Sequence, residues 1–247
     1  RLVTDLLARR PGLLVLVDPG RCEPAAAARL AAQAREAGAA GVLIGGSFDG
    51  TRETHHVAAA VRALALDLPV LLFPGSAMQL TDQVDLILFL SLVSGRNPQY
   101  LIEEHVRAIP FLQRHPVPTL STGYILIDGG RVTSVEAVSQ TRPLPADKPE
   151  LAAAHVRAAR LIGMQAIYLD AGSGAERPVP ATVIAACRAC LGDSGAPLFV
   201  GGGIRRPEEA AVAQAAGADF VVIGSALERE NGDSLAAFVR AVRDGHP

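Results

Sequence analysis

Short apolar runs recur along the chain at Leu13–Val17, Gly41–Ile44, Val70–Phe73, Leu86–Leu90, Tyr124–Ile127, Ala166–Leu169, Leu198–Val200 and Phe220–Ile223. Most are near-continuously apolar rather than alternating, the pattern of parallel strands covered on both faces. Helix-like segments lie between them: Pro24–Ala37, Arg52–Leu66, Pro98–Arg114, Glu150–Ile162, Ala181–Leu191, Pro207–Ala216 and Ser234–Val242. The first carries Pro just inside its start and Gly38 just past its end, the expected asymmetry of helix termini. Eight strands alternating with helices predict an α/β protein, a single (β/α)8 TIM barrel over residues 1–247.

One connection breaks the rhythm. From Phe73 to Leu86 the chain is too short for a crossover helix, and it opens on the turn formers Pro74, Gly75 and Ser76. The third helix of the barrel is therefore expected to be missing, leaving a gap in the wall. Arg131–Asp147 is long and Pro-rich and reads as a loop or lid over the barrel top. The N-terminus reads as a few charged residues leading into the first strand, with no signal peptide.

The composition fits this picture. Of 247 residues, 49% are apolar and 19% charged, enough for a large core. A formal net charge of −2 offers no general attraction to nucleic acid or anionic membrane. No apolar run approaches the ~18 residues of a transmembrane helix. Cys187 and Cys190 form a CxxC inside a helical pattern with no second pair, so buried thiols of a cytoplasmic protein explain them better than zinc. His55 and His56 have no matching partners, and His105 and His155 read as packing or solvent-facing residues on helices.

Function in such a barrel sits at the C-terminal strand ends. The last two strands end in Gly201-Gly202-Gly203 and Gly224-Ser225, where glycine leaves backbone N–H groups accessible and a following helix adds its positive end. This is a phosphate site. The sixth strand ends in Tyr168-Leu169-Asp170-Ala171-Gly172-Ser173-Gly174, the first in Asp18-Pro19-Gly20-Arg21, and the second in Gly45-Gly46-Ser47. Taken singly, Asp18 could be a turn residue and Ser47 could bond its own turn.

Jointly, DPGR, GGS, FPGS, SGRNPQYLIEEHV, TGYILIDGG, YLDAGSGA, VGGGIR and GADFVVIGS resemble the ordered motifs of the geranylgeranylglyceryl phosphate synthase family, which includes the bacterial heptaprenylglyceryl phosphate synthases. The resemblance covers nearly the whole chain. It implies a TIM barrel lacking its third helix and a Mg²⁺-dependent transfer of a prenyl group, usually geranylgeranyl, from its diphosphate to the C3 hydroxyl of sn-glycerol 1-phosphate. On this pattern Asp18 and Ser47 are the metal residues. Arg21, Tyr168, Leu169, Asp170, Ala171, Gly172, Ser173, Gly174, Gly202, Gly203, Gly224 and Ser225 bind substrate, and Asp170 with Tyr168 forms the catalytic end. The leaving diphosphate is expected on the side of the mouth opposite the acceptor phosphate.

Two positions depart from the family: Asp170 stands where Glu is usual, and Arg21 replaces Lys in DPxK. Arg keeps the charge but not the point-like ammonium. The prenyl chain is expected in the gap of the missing helix, lined by Leu72, Phe73, Leu90 and Pro98–Ile102, with Tyr100 or another bulky residue at the far end limiting chain length; the alternative is that these residues pack the barrel or a subunit interface. The resemblance also implies a homo-oligomer, and the lipid product allows transient membrane contact. Two other readings stay open, a phosphosugar isomerase sharing only the last two phosphate loops and a barrel that binds a phosphate ester without turnover.

Overall fold

The computed structural model describes residues 2–46, 52–224 and 235–245. Eight parallel strands close a barrel in sequence order: β1 (Gly12–Val17), β2 (Gly41–Ile44), β3 (Val70–Leu72), β4 (Leu86–Leu92), β5 (Thr119–Leu126), β6 (Ala166–Asp170), β7 (Leu198–Gly201) and β8 (Phe220–Ile223). Closure is made by β8 against β1, with Leu13 opposite Val221 and Val15 opposite Ile223. The described helices are α1 (Leu2–Leu7), α2 (Pro24–Ala37), α3 (Glu53–Ala65), α4 (Glu104–Arg114), α5 (Ser134–Ser139), α6 (Pro149–Leu161), α7 (Ala181–Leu191), α8 (Pro207–Ala215) and α9 (Leu235–Asp244).

Although the strands read as unbroken apolar runs, their side chains divide by parity. Leu13, Val15 and Val17 of β1 face the helices, while Leu14 joins Leu43, Leu71, Leu88, Tyr168, Phe199 and Phe220 inside the barrel. Both layers are buried, which is why alternation is invisible in the sequence.

Between β3 and β4 there is no α-helix, only a single 3₁₀ turn, Ala77–Gln79. The gap expected from the short connection is present. On its other side the chain enters α4 through a π-helical turn, Gln99–Glu103, so the segment expected as one helix changes winding at its start. Such wide turns concentrate at functional sites.

Two expectations are corrected. β5 is longer than read: it begins at Thr119, because Leu120 packs inside the barrel, and Thr122 is buried with its hydroxyl satisfied by the Leu120 carbonyl at 2.8 Å. The N-terminus does not lead straight into β1. It forms α1, whose Leu6 is buried among Leu14, Ala40, Leu43 and Phe220 and stoppers the bottom of the barrel. Leu6→Ala is expected to cost about 2–5 kcal/mol in chemical denaturation through the cavity it leaves. Substrate KM values should not move, since the active end lies at the opposite strand termini.

Candidate active site

Asp170 closes β6 on the interior side, 7% exposed. Its Oδ2 accepts a 2.5 Å hydrogen bond from the Tyr124 hydroxyl, and its Oδ1 accepts the Gly172 N–H at 2.8 Å. Burial raises its pKa above the ordinary carboxylate value, while these two donors pull it partly back. Burial, reinforced by the Asp170 charge, also holds Tyr124 and Tyr168 well above the ordinary phenol value, so Tyr124 is the donor in the pair. The result is an aimed, desolvated carboxylate with acceptor capacity left over.

Around it stands an aromatic wall. Phe73 stacks on Tyr168 at 4.8 Å and meets Tyr124 edge-on at 5.8 Å, and Tyr168 stacks in turn toward Phe199 at 6.0 Å. Phe73 also faces an apolar cavity of about 90 Å³. The cavity fills the place of the missing helix and is walled by Pro74–Ala77, Leu88–Leu90, Tyr100, His105 and Ala108. Apolar cavity and buried carboxylate therefore share one aromatic partition.

The glycine loops flank Asp170. Gly172, Gly174, Gly202 and Gly203 all have positive φ, between +72° and +89°. A Cβ on Gly202 would overlap the Asp170 carboxylate and the Gly172 backbone. Only glycine lets the β7 loop close on the β6 loop here. Ser173 is exposed beside them, and Gly224 lies against Leu16 of β1. Ser225 lies outside the described residues.

Several predicted residues sit differently from expectation. The side chains of Leu169 and Ala171 point into the strand–helix layer, and the Ala171 N–H is spent on the Gly201 carbonyl at 3.1 Å. Parity turns both side chains away from the barrel interior. Of the expected cavity lining, Phe73, Leu90 and Tyr100 are present, but Leu72 faces the helix layer and Ile102 is exposed. Because β8 pairs with β1, the Gly224 end of the acceptor region neighbours the Asp18 end, whereas the Gly172–Gly174 loop after β6 lies three strands away around the barrel. His105 faces neither solvent nor simple packing alone: its ring meets Phe89 at 4.3 Å and lines the cavity, and burial lowers its pKa.

Asp18 follows β1, with Oδ1 accepting the Gly20 N–H at 2.9 Å and Oδ2 3.7 Å from Arg21 Nε. A Cβ on Gly46 would sit 2.6 Å from Asp18 Oδ1, so glycine at the end of β2 makes room for this carboxylate. A carboxylate is the hard oxygen donor that Mg²⁺ takes, and an ion that keeps most of its waters needs few protein ligands. Ser47, the other expected metal residue, lies outside the described residues. Arg21 stands exposed on the same turn. Cys22, Cys187 and Cys190 form no disulfide, and burial pushes Cys187 up to about 12, an unreactive state.

Two residues at the mouth were missed by reading the sequence. Tyr124 was read as the apolar start of a strand, yet its register opposite Tyr168 marks it as an interior residue two positions before the strand end. Thr133, at the start of α5 in the segment over the barrel top, lies against Gly172 with its hydroxyl buried and without a hydrogen-bond partner among the described residues. Nothing in its local sequence separates it from an ordinary helix cap.

Glycine loops, a buried carboxylate and an adjoining apolar cavity meet at the strand C-termini of a (β/α)8 barrel, the end at which enzymes of this fold carry their active sites. Comparison with known proteins narrows this. The chain matches the PcrB family over residues 5–242 and belongs to it. The geranylgeranylglyceryl phosphate synthase of Spirosoma linguale is 40% identical over 238 residues, covering 96% of this chain and 94% of its own. That of Chitinophaga pinensis is 40% identical over 216 residues, covering 87% and 84%. The crystal structure of (S)-3-O-geranylgeranylglyceryl phosphate synthase from Thermoplasma acidophilum, in complex with substrate sn-glycerol-1-phosphate, matches with a TM-score of 0.90 at 30% identity, covering 98% of both chains. The chain is an enzyme of the prenyltransferase class.

Proposed function

We propose that the enzyme joins a prenyl diphosphate, geranylgeranyl diphosphate foremost, to the C3 hydroxyl of sn-glycerol 1-phosphate, with Mg²⁺ as its cofactor. One observation carries the reading: the aromatic partition of Phe73 and Tyr124 lines an apolar cavity, and its Tyr124 hydroxyl bonds the Asp170 carboxylate beside the glycine loops. A lipid tail and a phosphorylated polyol would meet at that partition. The relatives' names and the substrate in the Thermoplasma complex support the same pairing.

The acceptor phosphate would lie along the turns at Gly172–Gly174 and Gly202–Gly203, with the Thr133 hydroxyl nearby. Its C3 hydroxyl oxygen attacks C1 of the prenyl group, a new C–O ether bond forms, and the C1–O bond to the diphosphate breaks. The hydroxyl proton passes to the Asp170 carboxylate, and pyrophosphate leaves with the bonding electron pair. Asp170 does this well because it is desolvated and already oriented by two donors. Mg²⁺, held by Asp18, would neutralise the charge gathering on the leaving pyrophosphate. Arg21 lends further positive charge at that end. The tail, at about 0.8 kcal/mol per buried CH₂, would draw donor affinity from the cavity.

The acceptor part of this reading is tested by calorimetry with sn-glycerol 1-phosphate alone. Binding without donor or metal is expected, and no heat with either enantiomer would count against the assignment. Tyr124→Phe tests the proton acceptor. It removes the donor that lowers the Asp170 pKa, so the acidic limb of the kcat–pH profile should move to higher pH. The loss at neutral pH should stay at roughly tenfold or less. A profile unmoved by this change would separate Asp170 from the proton transfer.

A further inference from the structure

We infer that Glu104 is a positioning residue that fixes the width of the apolar cavity and so sets which prenyl chain lengths the enzyme prefers. The inference rests on the prenyl transfer proposed above. Where a complete barrel has a third helix, this one has two unconnected walls: the β3–β4 connection with its 3₁₀ turn, and the π turn leading into α4. Both walls line the cavity, Gly75–Ala77 on one side and Tyr100, Glu104 and Ala108 on the other. Apolar contacts alone would leave their separation loosely set, since apolar packing is non-directional.

Glu104 supplies a direct polar tie across the cavity. Its Oε2 accepts the Ala77 N–H at 2.7 Å, reaching 27 residues back along the chain to the opposite wall. Its Oε1 accepts from Gln99 Nε2 at 2.9 Å, within the π turn, and from Arg107 Nη1 at 2.8 Å, within α4. Ala77 opens the 3₁₀ turn, so its N–H is one that the turn itself leaves unpaired. A carboxylate with 13% of its side chain exposed and three donors is a charge-assisted junction rather than a surface charge.

The tie continues toward the mouth. Gln79, 2% exposed, accepts the Gly75 N–H at 2.7 Å and donates to the Gly46 carbonyl at 3.1 Å. Gly46 is the residue that leaves room for Asp18. The β3–β4 connection is thus held at one end against the Asp18 end of the site and at the other against α4. Releasing Glu104 frees the cavity end and leaves the mouth end tied.

The test is turnover of farnesyl, geranylgeranyl and heptaprenyl diphosphates by the full chain and its variants. In Glu104→Ala the ratio of kcat/KM for geranylgeranyl over heptaprenyl diphosphate should shift toward the longer donor on the order of tenfold. The KM for sn-glycerol 1-phosphate should stay within about twofold, because the acceptor loops are untouched. Glu104→Gln keeps an oxygen for Ala77 but turns an amide toward the Gln99 and Arg107 donors, so its shift should be intermediate. Arg107→Ala removes the exposed partner and leaves the Ala77 tie, so its length profile should match the wild type. An unchanged profile in Glu104→Ala, or an equal shift in Arg107→Ala, would overturn the inference. Failure of the wild type on all three donors would overturn the proposed function itself.

Discussion

Asp170→Asn is expected to reduce kcat by about 10²–10⁴-fold, the usual worth of a positioned general base, without loss of stability. Asn is matched in size and can satisfy both existing partners, its oxygen accepting the Gly172 N–H and its amide donating to the Tyr124 oxygen. What it removes is a buried negative charge. Because burial raises the Asp170 pKa in the folded state, the carboxyl's contribution to stability is fully present below its unfolded pKa and is lost as pH rises through the folded one. The Asn variant should therefore melt with the wild type in acid and increasingly above it toward neutral pH. Melting curves across that range, paired with kcat, check both halves. Turnover near the wild-type value would remove Asp170 from the chemistry.

The second large effect is expected at Asp18. Asp18→Asn preserves an oxygen for the Gly20 N–H, so the turn after β1 should survive. The charge that would hold Mg²⁺ does not survive, and stabilisation of the leaving pyrophosphate is worth several kcal/mol, on the order of 10²–10³ in kcat/KM. Raising Mg²⁺ should recover part of the loss, and chelation of the metal should silence the wild type. If Asp18 serves only its turn, the same variant would keep both its melting temperature and its activity. Using Asn rather than Ala separates those roles, since Ala would break the turn and the metal site together.

Much of this was legible in the chain, for identifiable reasons. Strands buried on both faces announce themselves as apolar runs, and positions such as Gly41–Ile44 and Phe220–Ile223 coincide with the structure residue for residue. The missing third helix followed from counting residues between Phe73 and Leu86. Glycine at Gly172, Gly202 and Gly203 was readable because only glycine tolerates that backbone so close to other chain segments.

The misses share a cause. In strands buried on both faces, hydropathy carries no parity, so Leu72 and Leu169 could not be told from their inward neighbours, and Tyr124 passed as one more core residue. Glu104 carries no signal of its own in the sequence, because its partner Ala77 is distant in the chain and contributes only a backbone N–H.

The central claim is the union of an apolar donor and a phosphorylated acceptor at the Phe73–Asp170 partition. It is tested most directly by mass spectrometry of the products formed from geranylgeranyl diphosphate and isotope-labelled sn-glycerol 1-phosphate with Mg²⁺. The account predicts an ether, geranylgeranylglyceryl phosphate, carrying the label, with pyrophosphate released in equal amount. Absence of labelled ether with every prenyl length and both glycerol phosphate enantiomers would contradict it.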